Sequence, residues 1–184
     1  MSTVLVHDLR LEGPTPASMA DASLEVGKAT PVSGIVQDIL NAASSSISRL
    51  LILCHGYEST STGNSSIPMA LGFGLQFGME SLTLKNIGVL APLYGAVQDI
   101  ILYACGPANT DAAARGTYGD GQQFCREMAA CTNANVYASD VSQEYNNLRY
   151  DNSQMICETI PIDFGQWEGH VYRFSPDGSM LMVQ

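Results

Sequence analysis

Two short apolar runs, each ending in a reactive side chain followed by glycine, dominate the hydrophobic pattern of the chain. The first is Leu50-Leu51-Ile52-Leu53-Cys54-His55-Gly56, and the second is Ile100-Ile101-Leu102-Tyr103-Ala104-Cys105-Gly106. Unbroken apolar runs of this length suit strands buried on both faces, as in a parallel sheet. Elsewhere the period is helical. Ile35, Val36, Ile39, Leu40 and Ala43 share one face and are closed by Ser44-Ser45-Ser46, while Phe124, Cys125, Met128 and Ala129 form the apolar stripe of a helix over 121–132. Asn135 to Asp140 reads as a third parallel strand with a polar exit, and residues 4–11 as an edge strand.

The remaining pattern is weaker. Residues 12–33, rich in Pro, Ala, Ser, Gly and Thr, predict a loosely packed lead-in. Residues 71–78 alternate apolar residues with Gly or Gln and predict a short hairpin or edge strand. Leu84, Ile87, Leu90, Ala91 and Tyr94 approach helical spacing and predict a helix over the sheet, although Gly88 and Pro92 oppose it. Residues 58–66 and 106–120 are polar, glycine-containing loops; the Gly-Asp-Gly at 119–121 reads as a helix entry rather than a calcium loop. In the tail, Ile160 to Ile162 is followed by residues 169–174, a Ser-Pro-Asp-Gly turn and Met180 to Val183, which make a hairpin. The expected fold class is α/β: a single domain over residues 1–184 with a mostly parallel central sheet flanked by helices and a C-terminal β-hairpin.

Composition narrows the partners. Among 184 residues, 46% are hydrophobic and 14% charged, a globular composition. Eight basic against eighteen acidic side chains leave a net charge of −10, which repels phosphate backbones and anionic bilayers, so neither nucleic acid nor membrane is expected as a partner. A basic peptide or protein would be attracted instead. No secretory signal or 18-residue apolar span is recognisable. Five cysteines without tight repeated spacing argue against a disulfide framework, so a reducing, cytoplasmic setting or leaderless delivery is expected.

The two glycine-terminated strands supply the candidate chemistry. Groups at the carboxyl ends of neighbouring parallel strands collect on one rim, where ligands bind. A thiol is nucleophilic as thiolate, and an imidazole beside it can take its proton. His55 and Cys105 are therefore the candidate catalytic pair, with the amides of Gly56 and Cys105 as candidate oxyanion donors. Cys54 is excluded because adjacent residues of a strand point to opposite faces. With Cys125, Cys131 and Cys157 it reads as a packing residue, and His7 and His170 as core or surface histidines. No Cys-x-x-Cys pair, Gly-x-Ser-x-Gly elbow or phosphate-binding glycine loop occurs, so no metal or other cofactor is expected.

His55 precedes Cys105 by 50 residues, the reverse of the papain-type order. In this order and spacing, Leu51 to Gly56 and Ile101 to Gly106 resemble the His-Gly and Ala-Cys strands of caspases and of the wider clan CD group of cysteine peptidases. That group includes gingipains, clostripain, legumain, separase and the self-processing protease domains of bacterial toxins. The resemblance covers residues 35–140 and implies a caspase-like three-layer sandwich and a cysteine endopeptidase with a His55–Cys105 dyad, in a setting such as a bacterial effector or toxin. Tyr103 and Pro107 stand near the places of the caspase Gln and Arg, so aspartate specificity does not transfer. In the group, the loop after the next strand often lines the specificity pocket. Ser139 and Asp140 occupy that place and imply substrate binding with a preference for a basic residue. The alternative is a catalytically idle caspase-fold binding or regulatory module.

Overall fold

The computed structural model describes residues 2–43, 46–57, 74–110, 115–116, 119–151 and 156–184. The polar loop 58–66, the start of the 71–78 run and part of the 106–120 loop lie outside them. Seven strands form the central sheet: β1 (Ser2–Asp8), β2 (Ala22–Val26), β3 (Ile47–Leu53), β7 (Val97–Tyr103), β8 (Asn135–Ser139), β11 (Val171–Phe174) and β12 (Met180–Met182). Their order is β12-β11-β8-β7-β3-β1-β2. The strands from β2 to β8 run parallel, and the hairpin β11–β12 closes one side antiparallel. The two apolar runs, β3 and β7, and the third expected strand, β8, are neighbours in the middle of this order, as expected of a sheet covered on both faces.

Alternation along these strands sends their side chains into two cores. Val4, Val6, Leu50, Ile52, Ile100 and Leu102 join one buried cluster, whereas Leu5, Leu51 and Leu53 join the other. Helix α1 (Val32–Ala42) packs Val32, Ile35, Val36 and Ile39 into the first cluster, and α2 (Gly121–Thr132) adds Phe124, Cys125, Met128 and Ala129. The expected helix over 82–94 is instead a two-residue strand, β6 (Leu82–Thr83), followed by a 3-10 helix (Ile87–Leu93). Pro92 sits inside that helix, where a residue with no amide hydrogen interrupts an α-helical ladder.

The other face is clothed differently from a three-layer sandwich. Among the described residues, Leu11, Ile162 and half-buried Tyr145 and Phe164 cover Leu5, Leu51 and Leu53, and no α-helix packs there. Much of this cover comes from an unexpected hairpin, β9 (Asn146–Asp151) with β10 (Ile156–Asp163), and the residues after it. Aromatic rings knit it together: Phe164 and Trp167 each lie 5.2 Å from Tyr103, centroid to centroid. A third, three-stranded sheet joins β4 (His55–Tyr57), β5 (Gly74–Gln76) and β6 antiparallel, where a hairpin or edge strand was expected.

The N-terminal third also departs from expectation. β1 lies inside the sheet between β2 and β3, with Val4, Leu5 and Val6 fully buried. The edge on that side is β2, drawn from the segment 12–33 expected to be loose. Its exposed positions, Ser23 and Glu25, alternate with partly buried ones, the pattern of an edge strand. No helix among the described residues is long and apolar enough to cross a membrane.

Asp120 enters α2 as an N-cap and accepts from the amides of Gln123 and Gly116 and the hydroxyl of Thr110. Burial alone would raise its carboxyl. These hydrogen bonds and Arg126 outweigh burial and hold the carboxyl below the usual range. A carboxyl lowered only in the folded chain stabilises above its unfolded value and loses that contribution as pH falls through the folded one. Asp120→Ala is expected to cost about 1–2 kcal/mol at neutral pH. In urea titrations at stepped pH, the gap from wild type should narrow as pH falls below the ordinary aspartate range.

Candidate active site

β3 and β7 pair in register from Leu50 opposite Ile100 to Leu53 opposite Tyr103, and the amide of Cys54 donates to the carbonyl of Tyr103 at 3.2 Å. One residue later the chain leaves the sheet. His55 and Gly56 belong to β4, paired with Gln76 and Leu75 of β5, so a second sheet fixes the course of the His-Gly segment. Cys105 follows buried Ala104 at the end of β7, and His55 and Cys105 are both half-buried. Gly56 lies directly against the backbone of Cys105: a Cβ at position 56 would overlap the carbonyl and amide of Cys105. The two motifs singled out in the sequence therefore meet on one rim, backbone against backbone.

The turn after Cys105 is equally constrained. Gly106 takes a left-handed conformation (φ 53°), which a side chain would strain. Its amide donates to the carbonyl of Val141 and that of Ala108 to Ser139, both at 2.9 Å.

His55 is oriented by the main chain. Its Nε2 lies 3.0 Å from the carbonyl oxygen of Arg10. A carbonyl only accepts, so Nε2 carries the hydrogen and the neutral ring keeps a lone pair on Nδ1. An imidazole fixed in one tautomer by a third group is what a general base requires. Sequence reasoning missed Arg10, because residues 4–11 were read as one edge strand. The only local sign was a charged pair, Asp8 and Arg10, directly after an apolar run.

The other cysteines separate cleanly from Cys105. Cys54 points into the helix-side core, where burial, with the charges of Asp8 and Cys105, pushes its thiol well above the ordinary value. Cys125 is buried and its thiol, which donates to the carbonyl of Pro107 at 3.3 Å, is also pushed up by burial. Burial thus disfavours the reactive thiolate at both. Cys131 is half-buried, and Cys157 lies exposed on β10, so the packing role expected of Cys157 does not hold. No grouping of three or more metal-ligating side chains occurs among the described residues.

Ser139 and Asp140, expected to bind substrate, have their side chains engaged within the protein. Ser139 is fully buried; its hydroxyl donates to the carbonyl of Glu168 at 2.7 Å and accepts from Gln143 at 3.0 Å. The carboxylate of Asp140 accepts from the amide of His170 at 2.9 Å and meets its exposed imidazole Nδ1 at 3.0 Å. Both side chains organise the approach to β11. The loop still touches the segment after Cys105 through its backbone, for the side-chain amide of Asn109 donates to the carbonyl of Asp140 at 3.1 Å. His7, by contrast, is a fully buried core histidine.

A cavity of about 300 Å³ opens on the sheet face that carries no α-helix, lined by Arg49, Asp99, Tyr103, Tyr137 and Trp167 among others, with neither His55 nor Cys105 in its wall. Burial raises the phenol of Tyr103 above its ordinary value, against the opposing effects of a bond with Trp167 and the charge of Arg49.

Gly56→Ala is expected to force β4 away from Cys105, because the obstructing atoms are backbone and cannot swing aside. Overpacking of this kind costs about 1–3 kcal/mol. Chemical denaturation should show that loss together with altered alkylation of Cys105, whereas Gly34→Ala, where an added Cβ meets nothing, should show neither.

No known protein family matches the chain, and neither does any curated protein or any solved structure.

Proposed function

We propose that the chain is a cysteine endopeptidase of caspase-like type, with Cys105 as nucleophile and His55 as acid and base. The observation that carries the reading is the bond from His55 Nε2 to the carbonyl of Arg10, which leaves Nδ1 of the neutral ring with a lone pair, in a segment whose next residue, Gly56, abuts the backbone of Cys105. In the reaction, the Cys105 proton passes to Nδ1 of His55 and the thiolate attacks the scissile carbonyl. The amides of Cys105 and Gly56 stabilise the oxyanion. The tetrahedral adduct collapses as His55 returns the proton to the leaving amine, and water, deprotonated by His55, releases the acyl group from sulfur. The parallel sheet with its antiparallel hairpin supports the fold side of the resemblance.

Substrate attraction rests on the net charge of −10, which favours basic proteins at long range. Asp140 is a poor anchor for a basic side chain while His170 occupies its carboxylate. A second reading, an idle member of the fold serving as a binding module, draws on the aromatic cavity that lies apart from the dyad.

Cys105→Ala is expected to abolish labelling by a thiol-reactive peptide probe and all proteolysis in a proteome-wide cleavage profile. His55→Ala should slow labelling by about 100-fold or more, the usual share of a general base. Equal labelling of wild type and Cys105→Ala would overturn the assignment and leave the binding module.

A further inference from the structure

We infer that Asp8 and Arg10 are positioning residues for His55, acting through the carbonyl of Arg10. Asp8 ends β1 with a fully buried carboxylate. One of its oxygens accepts from Arg10 Nε at 2.8 Å and the other from Arg10 Nη2 at 2.5 Å, a two-pronged pair. The same carboxylate accepts from the amide of Gly78 at 2.9 Å, and Arg10 Nη2 donates to the carbonyl of Gly78 at 2.8 Å. Gly78 lies two residues beyond β5, the strand that pairs with His55. The clamp therefore grips the two segments that hold the imidazole: the loop that offers it a carbonyl and the sheet that carries its backbone.

The loop has few other freedoms. The amide of Arg10 donates to Asp8 Oδ1 at 3.1 Å, Leu9 is bonded to Val26 and Leu11 to Asp8. Buried His7 bonds the carbonyl of Leu11 at 2.8 Å and the hydroxyl of Thr15 at 2.9 Å. With residues 7–11 pinned on either side, the direction of the Arg10 carbonyl follows from the pairing of its side chain. With the carboxylate fully buried and the guanidinium partly so, desolvation offsets much of the attraction, and fixing geometry is the better-attested use of such a pair. The consequence for Cys105 rests on the dyad reading; the orientation of His55 does not.

Selective ¹⁵N labelling of histidine reads the tautomer of neutral His55 in the full chain without any substrate. The wild type is expected to show the Nε2–H form alone. Asp8→Asn and Arg10→Lys, which keep size or charge but lose the fork, should show a mixture of tautomers. Both should also slow alkylation of Cys105 by iodoacetamide, read by mass spectrometry of its peptide, by about tenfold to a hundredfold, the range for a misplaced catalytic group. Thr132→Val, which removes a buried hydrogen bond of α2 to Met128, serves as the destabilised control and should retain tautomer and rate. If Asp8→Asn does not fold, Arg10→Lys decides. An unchanged His55 signature in a folded variant of either residue overturns the inference. If the tautomer shifts but His55→Ala alkylates at the wild-type rate, the positioning stands and the dyad reading falls.

Discussion

The in-register pairing of β3 with β7 inside a doubly buried sheet is the constraint on which the rest of the structure depends. Side chains alternate along a strand, so a slip of one residue would exchange the two cores, sending Leu50 and Ile52 to the hairpin-covered face and Leu51 and Leu53 to the helix-covered one. The same parity fixes Cys54 inward among apolar side chains and releases His55 to the rim. It also sets how far each strand projects, which brings Gly56 onto the backbone of Cys105. On the opposite flank β1 pairs with β3, His7 beside Leu53, and the turn leaving β1 lies behind His55. Cys105, His55 and the Arg10 carbonyl that bonds the imidazole all lie just beyond the ends of three neighbouring strands, β7, β3 and β1.

The parts legible in the sequence are those where burial dictates residue type over a short window. The runs at 50–53 and 100–103 read as buried parallel strands because every position is apolar, and the strand at 135–139 because an apolar centre, Val136 to Ala138, leads to a polar exit. Helix α2 begins and ends where the stripe and the Asp120 cap place it. The position of the candidate site followed from the same signal, since His-Gly and Cys-Gly stand where two such strands end. β2 was hidden by its edge position: half its side chains face water, and its composition reads as loop.

What stayed hidden depends on contacts between distant segments. Asp8 and Gly78 are joined by hydrogen bonds across 70 residues, which no local pattern reports. Ser139 and Asp140 were legible as the exit of a parallel strand, but the direction of their side chains is decided by Glu168 and His170 some 30 residues on. The second sheet face was misjudged for a related reason. Expecting helices on both sides follows from strands that are apolar on both sides, yet aromatic residues of a hairpin and loop can supply the same cover. Trp167 and Phe164 against Tyr103 do so with few residues, because each ring buries a large area.

Orienting a base with a backbone carbonyl rather than a carboxylate has a physical consequence. A carbonyl oxygen does not titrate, so the hydrogen bond to Nε2 persists whichever charge state the imidazole takes. It also adds no full negative charge that would hold the imidazolium against returning its proton to a leaving group. The cost is that a carbonyl has no side-chain rotamer with which to find its target; its direction is only as fixed as the loop. That requirement gives a role to the buried carboxylate of Asp8 and the partly buried guanidinium of Arg10, which stand where a direct Asp–His contact would be simpler. The charges spend their strength on the main chain, and the main chain aims the imidazole.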